Sequence, residues 1–142
     1  MISQTLDDEA ATVRFASQFA EQLKPGDTVC LSGDLGAGKS VFARALMRAL
    51  GVRDEVMPSP TFALIQEYEG EGCRVAHMDW YRLGDEGEVE SLGVREFFQQ
   101  PWIAIIEWPE RAPGLVPPAS WRLTIEPSME SQQARQIICQ RG

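Results

Sequence analysis

Gly33-Asp34-Leu35-Gly36-Ala37-Gly38-Lys39-Ser40 satisfies G-x-x-x-x-G-K-S/T at every position. The chemistry of that spacing is phosphate binding. Glycines let the backbone curl so that successive N–H groups point at a β-phosphate, and a helix starting near Lys39 adds its positive end. Lys39 is placed to bridge β- and γ-phosphates as a point charge, and Ser40 to put its hydroxyl on Mg²⁺, which keeps most of its waters and takes few protein ligands. The pattern names a nucleoside triphosphate and leaves the purpose open. As an exposed loop residue, Lys39 should be replaceable by alanine with loss of nucleotide binding and little loss of fold.

The partners of a phosphate site must come from elsewhere in the chain. Asp79 closes an apolar run as a Walker-B-type carboxylate should, able to hold Mg²⁺ through a water or through Ser40. Glu107 closes a second run and could bind Mg²⁺ or orient an attacking water. Thr61 lies in Ser59-Pro60-Thr61-Phe62, a proline-stiffened loop of the kind that senses a γ-phosphate through a hydroxyl. Trp80 and Trp108 each follow one of the acids, so either could lie against a nucleotide or simply pack. No guanine-specificity motif of the N-K-x-D type can be read, which favours ATP. His77 is the only histidine, so mechanisms needing two imidazoles are excluded, and its position reads as strand packing. Cys30, Cys73 and Cys139 form no C-x-x-C pair, which points to reduced thiols rather than a disulfide framework or a zinc site.

The elements that must position these residues follow from periodicity. Over residues 7–23, apolar positions recur at steps of three and four, an amphipathic helix ended by Lys24-Pro25-Gly26-Asp27. Residues 28–32 form a short apolar strand directly before the glycine loop. The helix after the loop has Val41, Phe42, Ala45, Leu46, Ala49 and Leu50 as its apolar face and Gly51 as its stop. Residues 61–68 and 74–80 read as a hairpin across Glu69-Gly70-Glu71-Gly72. Residues 85–100 suit a short acidic helix, and residues 102–107 a strand covered on both faces. After the proline-rich stretch 109–118, residues 121–126 and 134–140 read as two further strands around a polar turn.

The chain of 142 residues, 44% hydrophobic and 24% charged, has the size of one globular domain spanning residues 1–142. No apolar stretch approaches a membrane span, and residues 1–10 carry three acids and no base, unlike a secretory signal; a cytoplasmic protein is expected. Thirteen Lys and Arg against 21 Asp and Glu give a net charge of −8, which repels a phosphate backbone over most of the surface.

Taken together, the P-loop, Ser59-Pro60-Thr61-Phe62, His77-Met78-Asp79-Trp80-Tyr81-Arg82-Leu83 and Ile106-Glu107-Trp108-Pro109 resemble, in order and spacing, the TsaE family of bacterial tRNA threonylcarbamoyladenosine biosynthesis. The likeness runs over residues 8–121. Family members commonly have Thr at the position of Ser40 and Leu at that of Trp80. The resemblance implies a single α/β P-loop domain with a mixed, mostly parallel sheet flanked by helices, the C-terminal strands being antiparallel. It implies ATP at Gly33 to Ser40, Mg²⁺ near Ser40 and Glu107, and Asp79 and Thr61 completing the site. The segment before the first helix approaches the nucleotide in the family, which adds Glu9. The implied partners are the proteins TsaB and TsaD, with tRNA reached only through them. The role implied is an ATPase, slow alone and activated by those partners, that resets their complex between turnovers. Two other classes share the P-loop: a small-molecule kinase, which usually adds a basic lid, and a nucleotide-dependent interaction switch in which hydrolysis is incidental.

Overall fold

The computed structural model of the chain describes residues 2–34, 38–58, 60, 64–129 and 134–142. In chain order it has strand β1 (Ile2–Leu6), helix α1 (Glu9–Ala20), β2 (Thr28–Ser32), α2 (Lys39–Ala49), β3 (Ile65–Glu69) and β4 (Arg74–Asp79). Then come the short helix α3 (Glu86–Ser91), β5 (Trp102–Glu107), β6 (Trp121–Pro127) and β7 (Arg135–Arg141). Single 3-10 turns occupy Val94–Phe98, Pro109–Arg111 and Pro113–Leu115.

The strands form one sheet in the order β1-β7-β6-β2-β5-β4-β3. β6, β2, β5 and β4 run parallel in the centre, while β3 and the β7–β1 pair lie antiparallel on the two flanks. The α/β class, the mixed sheet and the antiparallel C-terminal strands are therefore as expected. Every residue of β5 is buried, the mark of a strand covered on both faces.

Alternation along the central strands separates two cores. Val29 and Leu31 of β2, Val75 of β4, and Ile103 and Ile105 of β5 face α1 and α2, where Phe15, Phe19, Phe42, Leu46 and Met47 cover them. Cys30, Ala76, Met78, Ala104 and Ile106 face the other way, against Trp80, Val89, Val94 and Phe97. A fully buried Leu, Phe or Ile contributes about 1.5–3 kcal/mol relative to exposure, so these two layers hold the sheet edge that carries the site. Among the described residues, no helix is long and apolar enough to cross a membrane. Cys30, Cys73 and Cys139 are free and buried.

Several boundaries differ from the sequence reading for identifiable reasons. The first helix is shorter because Asp8 caps it, its side chain accepting from the backbone N–H of Ala11 at 2.8 Å. In α2 the buried face is Phe42, Ala43, Leu46 and Met47; Val41 and Ala45 are half-buried and Ala49 exposed. Apolar residues cover most of that helix, so its pattern admits two phases, and packing against both α1 and the sheet selects one. The acidic segment is broken into α3 and a 3-10 turn instead of one helix. β1 escapes the sequence reading altogether because only Leu6 of its five residues is buried, as befits an edge strand.

Candidate functional site

The carboxyl ends of β2, β4 and β5 lie side by side, with Asp79 paired to Glu107 and Leu31 to Glu107 in the parallel registers. The N-terminus of α2 arrives at the same edge, because β2 runs into the glycine loop and the loop into that helix. In an open parallel sheet this is where ligands bind. Gly38 caps α2 at φ 101° and ψ 16°, a left-handed conformation that disfavours any side chain, and it makes no side-chain cap hydrogen bond. A glycine there offers no side chain to cap the first N–H groups of α2. Leu35, Gly36 and Ala37 of the loop lie outside the described residues, as does Thr61 with Ser59 and Phe62.

Lys39 opens α2 and is not the exposed loop residue expected from sequence: it is only 5% exposed. Its Nζ donates to the carbonyl of Gly33 at 2.6 Å and sits 3.6 Å from the centre of the Trp108 ring. Burial of the ammonium pulls its pKa down, and the carboxylates of Glu107, Glu110, Asp79 and Asp34 pull it partly back. The lysine therefore stands in a field of four acids, which favours its charged form against the desolvation. Asp34 itself is exposed at the mouth of the loop, and Ser40 is half-buried in the first turn of α2.

Asp79 and Glu107 are both buried, at 6% and 3% exposure, and share the sheet face that α2 covers, by the same alternation that places Val75 and Ile105 there. The Asp79 carboxylate accepts from the backbone N–H of Tyr81 at 2.9 Å, a local turn that fixes its direction. Glu107 Oε2 lies 2.6 Å from Nε2 of His77, a histidine 1% exposed, two residues before Asp79 on β4. His77 is thus more than strand packing: the structure joins it to one of the two site acids. The clue in the sequence was its place on the same strand face as Asp79, at i−2, which alone does not name a partner.

Trp108 follows Glu107 with φ 60°, a left-handed conformation rare for a bulky residue, which turns the chain sharply after β5. Its ring lies under Lys39 and 4.7 Å from that of Tyr81, whose face in turn meets the Arg111 guanidinium at 5.2 Å. Trp80 goes the other way, fully buried in the core on the opposite face of the sheet, so of the two tryptophans only Trp108 belongs to the site.

A cleft of about 410 Å³ adjoins the loop, lined among others by Asp8, Glu9, Thr12, Gly38, Phe42 and Arg135. It shares Gly38 with the phosphate loop but is not lined by Lys39, Asp79 or Glu107, so it lies beside the reactive groups rather than over them. Glu9, the candidate from the segment before the first helix, lines this cleft. Asp8, Thr12 and Arg135 were missed; Arg135 opens β7, and its Nε is 3.5 Å from where a Gly38 Cβ would stand. No motif marks it, because sheet pairing of β7 with β1 and β6 alone carries it there.

The donor set at the edge, one hydroxyl (Ser40) and two carboxylates (Asp79, Glu107), is all hard oxygen, which suits Mg²⁺ and not a soft metal. Among the described residues no three His, Cys, Asp or Glu side chains cluster closely enough to cage an ion.

Comparison with known proteins bears on the family and the fold. The family model described as "Threonylcarbamoyl adenosine biosynthesis protein TsaE" matches residues 6–137. A TsaE protein of Haemophilus influenzae is 38% identical over 130 residues, covering 88% of this chain and 82% of that protein. One of Rickettsia typhi is 40% identical over 114 residues, covering 80% and 78%. The crystal structure of YdiB from Bacillus subtilis superposes with a TM-score of 0.82 at 27% identity, covering 99% of this chain and 86% of that one. A family model matched over nearly the whole length and relatives at 38–40% identity lead to one conclusion: this chain belongs to the TsaE family of tRNA threonylcarbamoyladenosine biosynthesis.

Proposed function

We propose that the chain binds ATP with Mg²⁺ at Gly33 to Ser40 and hydrolyses it, acting on a complex of TsaB and TsaD during threonylcarbamoyladenosine formation. The observation that carries this reading is the meeting of Lys39, Asp79 and Glu107 at the carboxyl edge of the sheet, with the N-terminus of α2 beside them. The loop N–H groups and Lys39 neutralise charge on the transferring phosphoryl oxygens. Binding ATP asks Lys39 to exchange its contact with the Gly33 carbonyl for phosphate oxygens, while Trp108 remains as the floor under the ammonium. Ser40, Glu107 and Asp79 would hold Mg²⁺, which would supply neutralisation of phosphate charge. Asp79 or Glu107 places the attacking water, and Thr61 senses the γ-phosphate. The cleft lined by Glu9, Thr12 and Arg135 takes the adenosine end, since it continues from Gly38 away from the acids.

Glu107 favours hydrolysis over a passive switch. A carboxylate kept 97% out of solvent is costly unless it is held and used, and the His77 hydrogen bond holds Glu107 where it can aim a water, a task that only hydrolysis asks of it. The net charge of −8 suits a protein partner better than direct grip on tRNA. The test is steady-state ATP hydrolysis by the purified chain, alone and with TsaB and TsaD. The reading expects slow turnover alone and strong activation by the pair. Bound ATP with no activation contradicts it and favours a switch, or a kinase whose acceptor is missing.

A further inference from the structure

His77 has one contact that the hydrolytic roles above leave unused. Its Nε2 meets Glu107 Oε2 at 2.6 Å, both side chains being almost wholly buried at 1% and 4% exposure. Its other ring nitrogen, Nδ1, is buried with no hydrogen-bond partner among the described residues. These two facts place the hydrogen. A hydrogen on Nδ1 would be a buried donor with no acceptor, whereas a bare Nδ1 leaves only a lone pair unused. The arrangement that strands no donor has the ring hydrogen on Nε2, given to Glu107.

We infer that His77 is a positioning residue for ATP hydrolysis: it donates Nε2–H to Oε2 of Glu107 and so aims the carboxylate, leaving Oε1 for the reaction. The need for such a hold comes from Lys39. Among the carboxylates that favour the charged form of that ammonium, Glu107 has the largest influence, so where its charge is held matters to Lys39 as well. The register makes the tether stiff. β4 and β5 are paired in parallel from Arg74↔Trp102 to Asp79↔Glu107, with His77 opposite Ile105, so the imidazole and the carboxylate ride on adjacent strands, buried from Val75 and from Trp102 onward, rather than on loops. Partners of this kind fix the orientation of a functional group, and their loss typically costs activity about 10–100-fold.

The inference rests on the hydrolytic reading, and its test separates the two. Because His77 is the only histidine, ring-¹⁵N-histidine labelling of a tag-free chain yields the spectrum of one imidazole. Nε2 should resonate as a protonated nitrogen and Nδ1 as a bare one, and Glu107→Ala should move the Nε2 signal. In turnover with TsaB and TsaD, His77→Leu should lower kcat about tenfold or more with KM for ATP within about twofold. His77→Gln, which keeps an N–H near the same place, should recover most of the loss. On a Glu107→Ala background, His77→Leu should cost nothing further. A protonated Nδ1, a His77→Leu kcat within about twofold of wild type, or equal losses in the Leu and Gln variants would overturn the role. A wild-type chain without turnover in the presence of both partners overturns the hydrolytic reading and the role with it, while the spectrum decides the hydrogen bond independently.

Discussion

Lys39 shows what residue-level physics adds to a motif. The sequence names the lysine and its job, but not that its stem is buried and its ammonium is pinned between the Gly33 carbonyl and the Trp108 ring. Lys39→Ala would therefore mix loss of charge with a packing defect, and Lys39→Met separates them by keeping the stem. Lys39→Met is expected to weaken ATP binding about 10–100-fold, the worth of a charge-assisted contact, while the melting temperature of the nucleotide-free chain does not fall, since a desolvated ammonium has been removed; titration calorimetry and thermal melts check both. The thiols give a pH prediction with a definite sign. Burial pushes Cys30 up to about 12 from an ordinary 9.0, and Cys73 and Cys139 upward as well. Below about pH 9 the folded and unfolded chains both keep these protons, so stability does not change on their account. Between about 9 and 12 the unfolded chain loses the Cys30 proton and the folded chain keeps it, and the raised Cys73 and Cys139 thiols act in the same direction, so stability falls as pH rises. Urea midpoints across that range should decline, and Cys30→Ala should flatten the decline by up to about 1.4 kcal/mol per pH unit. The acids and the P-loop were legible as residues because strand ends and glycine spacing mark them. The His77–Glu107 pair was not, because it joins positions 30 apart through a strand register that no local pattern encodes.

Elements were legible where one pattern dominates and illegible where two compete. β2 and β5 match their expected bounds because continuous apolar runs admit one reading. The turn ending α2 was also foreseen: Gly51 at φ 97° lets its own N–H reach the Arg48 carbonyl at 3.1 Å and that of Val52 reach Met47 at 3.0 Å. A Cβ at Gly51 would stand 2.6 Å from the backbone nitrogen and the Cβ of Glu71, so there is no flexible neighbour to give way. Gly51→Ala is expected to cost about 2–4 kcal/mol, read as a lower denaturant midpoint at an unchanged slope. Asp8→Ala, losing one exposed cap bond, should cost about 1 kcal/mol by the same measurement. The phase of α2 and the break after α3 were not legible, since tertiary packing chooses among faces that the sequence leaves nearly equal.

The whole molecule brings the start of α1, the head of α2 and the opening of β7 to one sheet edge, although β1 was invisible in the sequence and Arg135 carried no motif. A ligand spanning the loop and the cleft ties these segments together, so ATP with Mg²⁺ at about 100 times its Kd should stabilise the fold by about 2.7 kcal/mol, a rise of roughly 5–10 °C in Tm that Lys39→Met reduces to about half or less at the same concentration. Fold class was legible because alternating strands and helices around a P-loop leave few sheets to choose from; the order of the flanking strands was not, because pairing between distant segments leaves no local trace. The account's central claim is that turnover at Glu107, not nucleotide occupancy, serves tRNA modification. The most direct test is threonylcarbamoyladenosine formation on tRNA by TsaB and TsaD with wild-type chain or with Glu107→Ala, after binding of ATP by the variant has been verified. The account predicts a variant that binds ATP and the partners and fails to sustain modification; sustained modification without ATP turnover would contradict it.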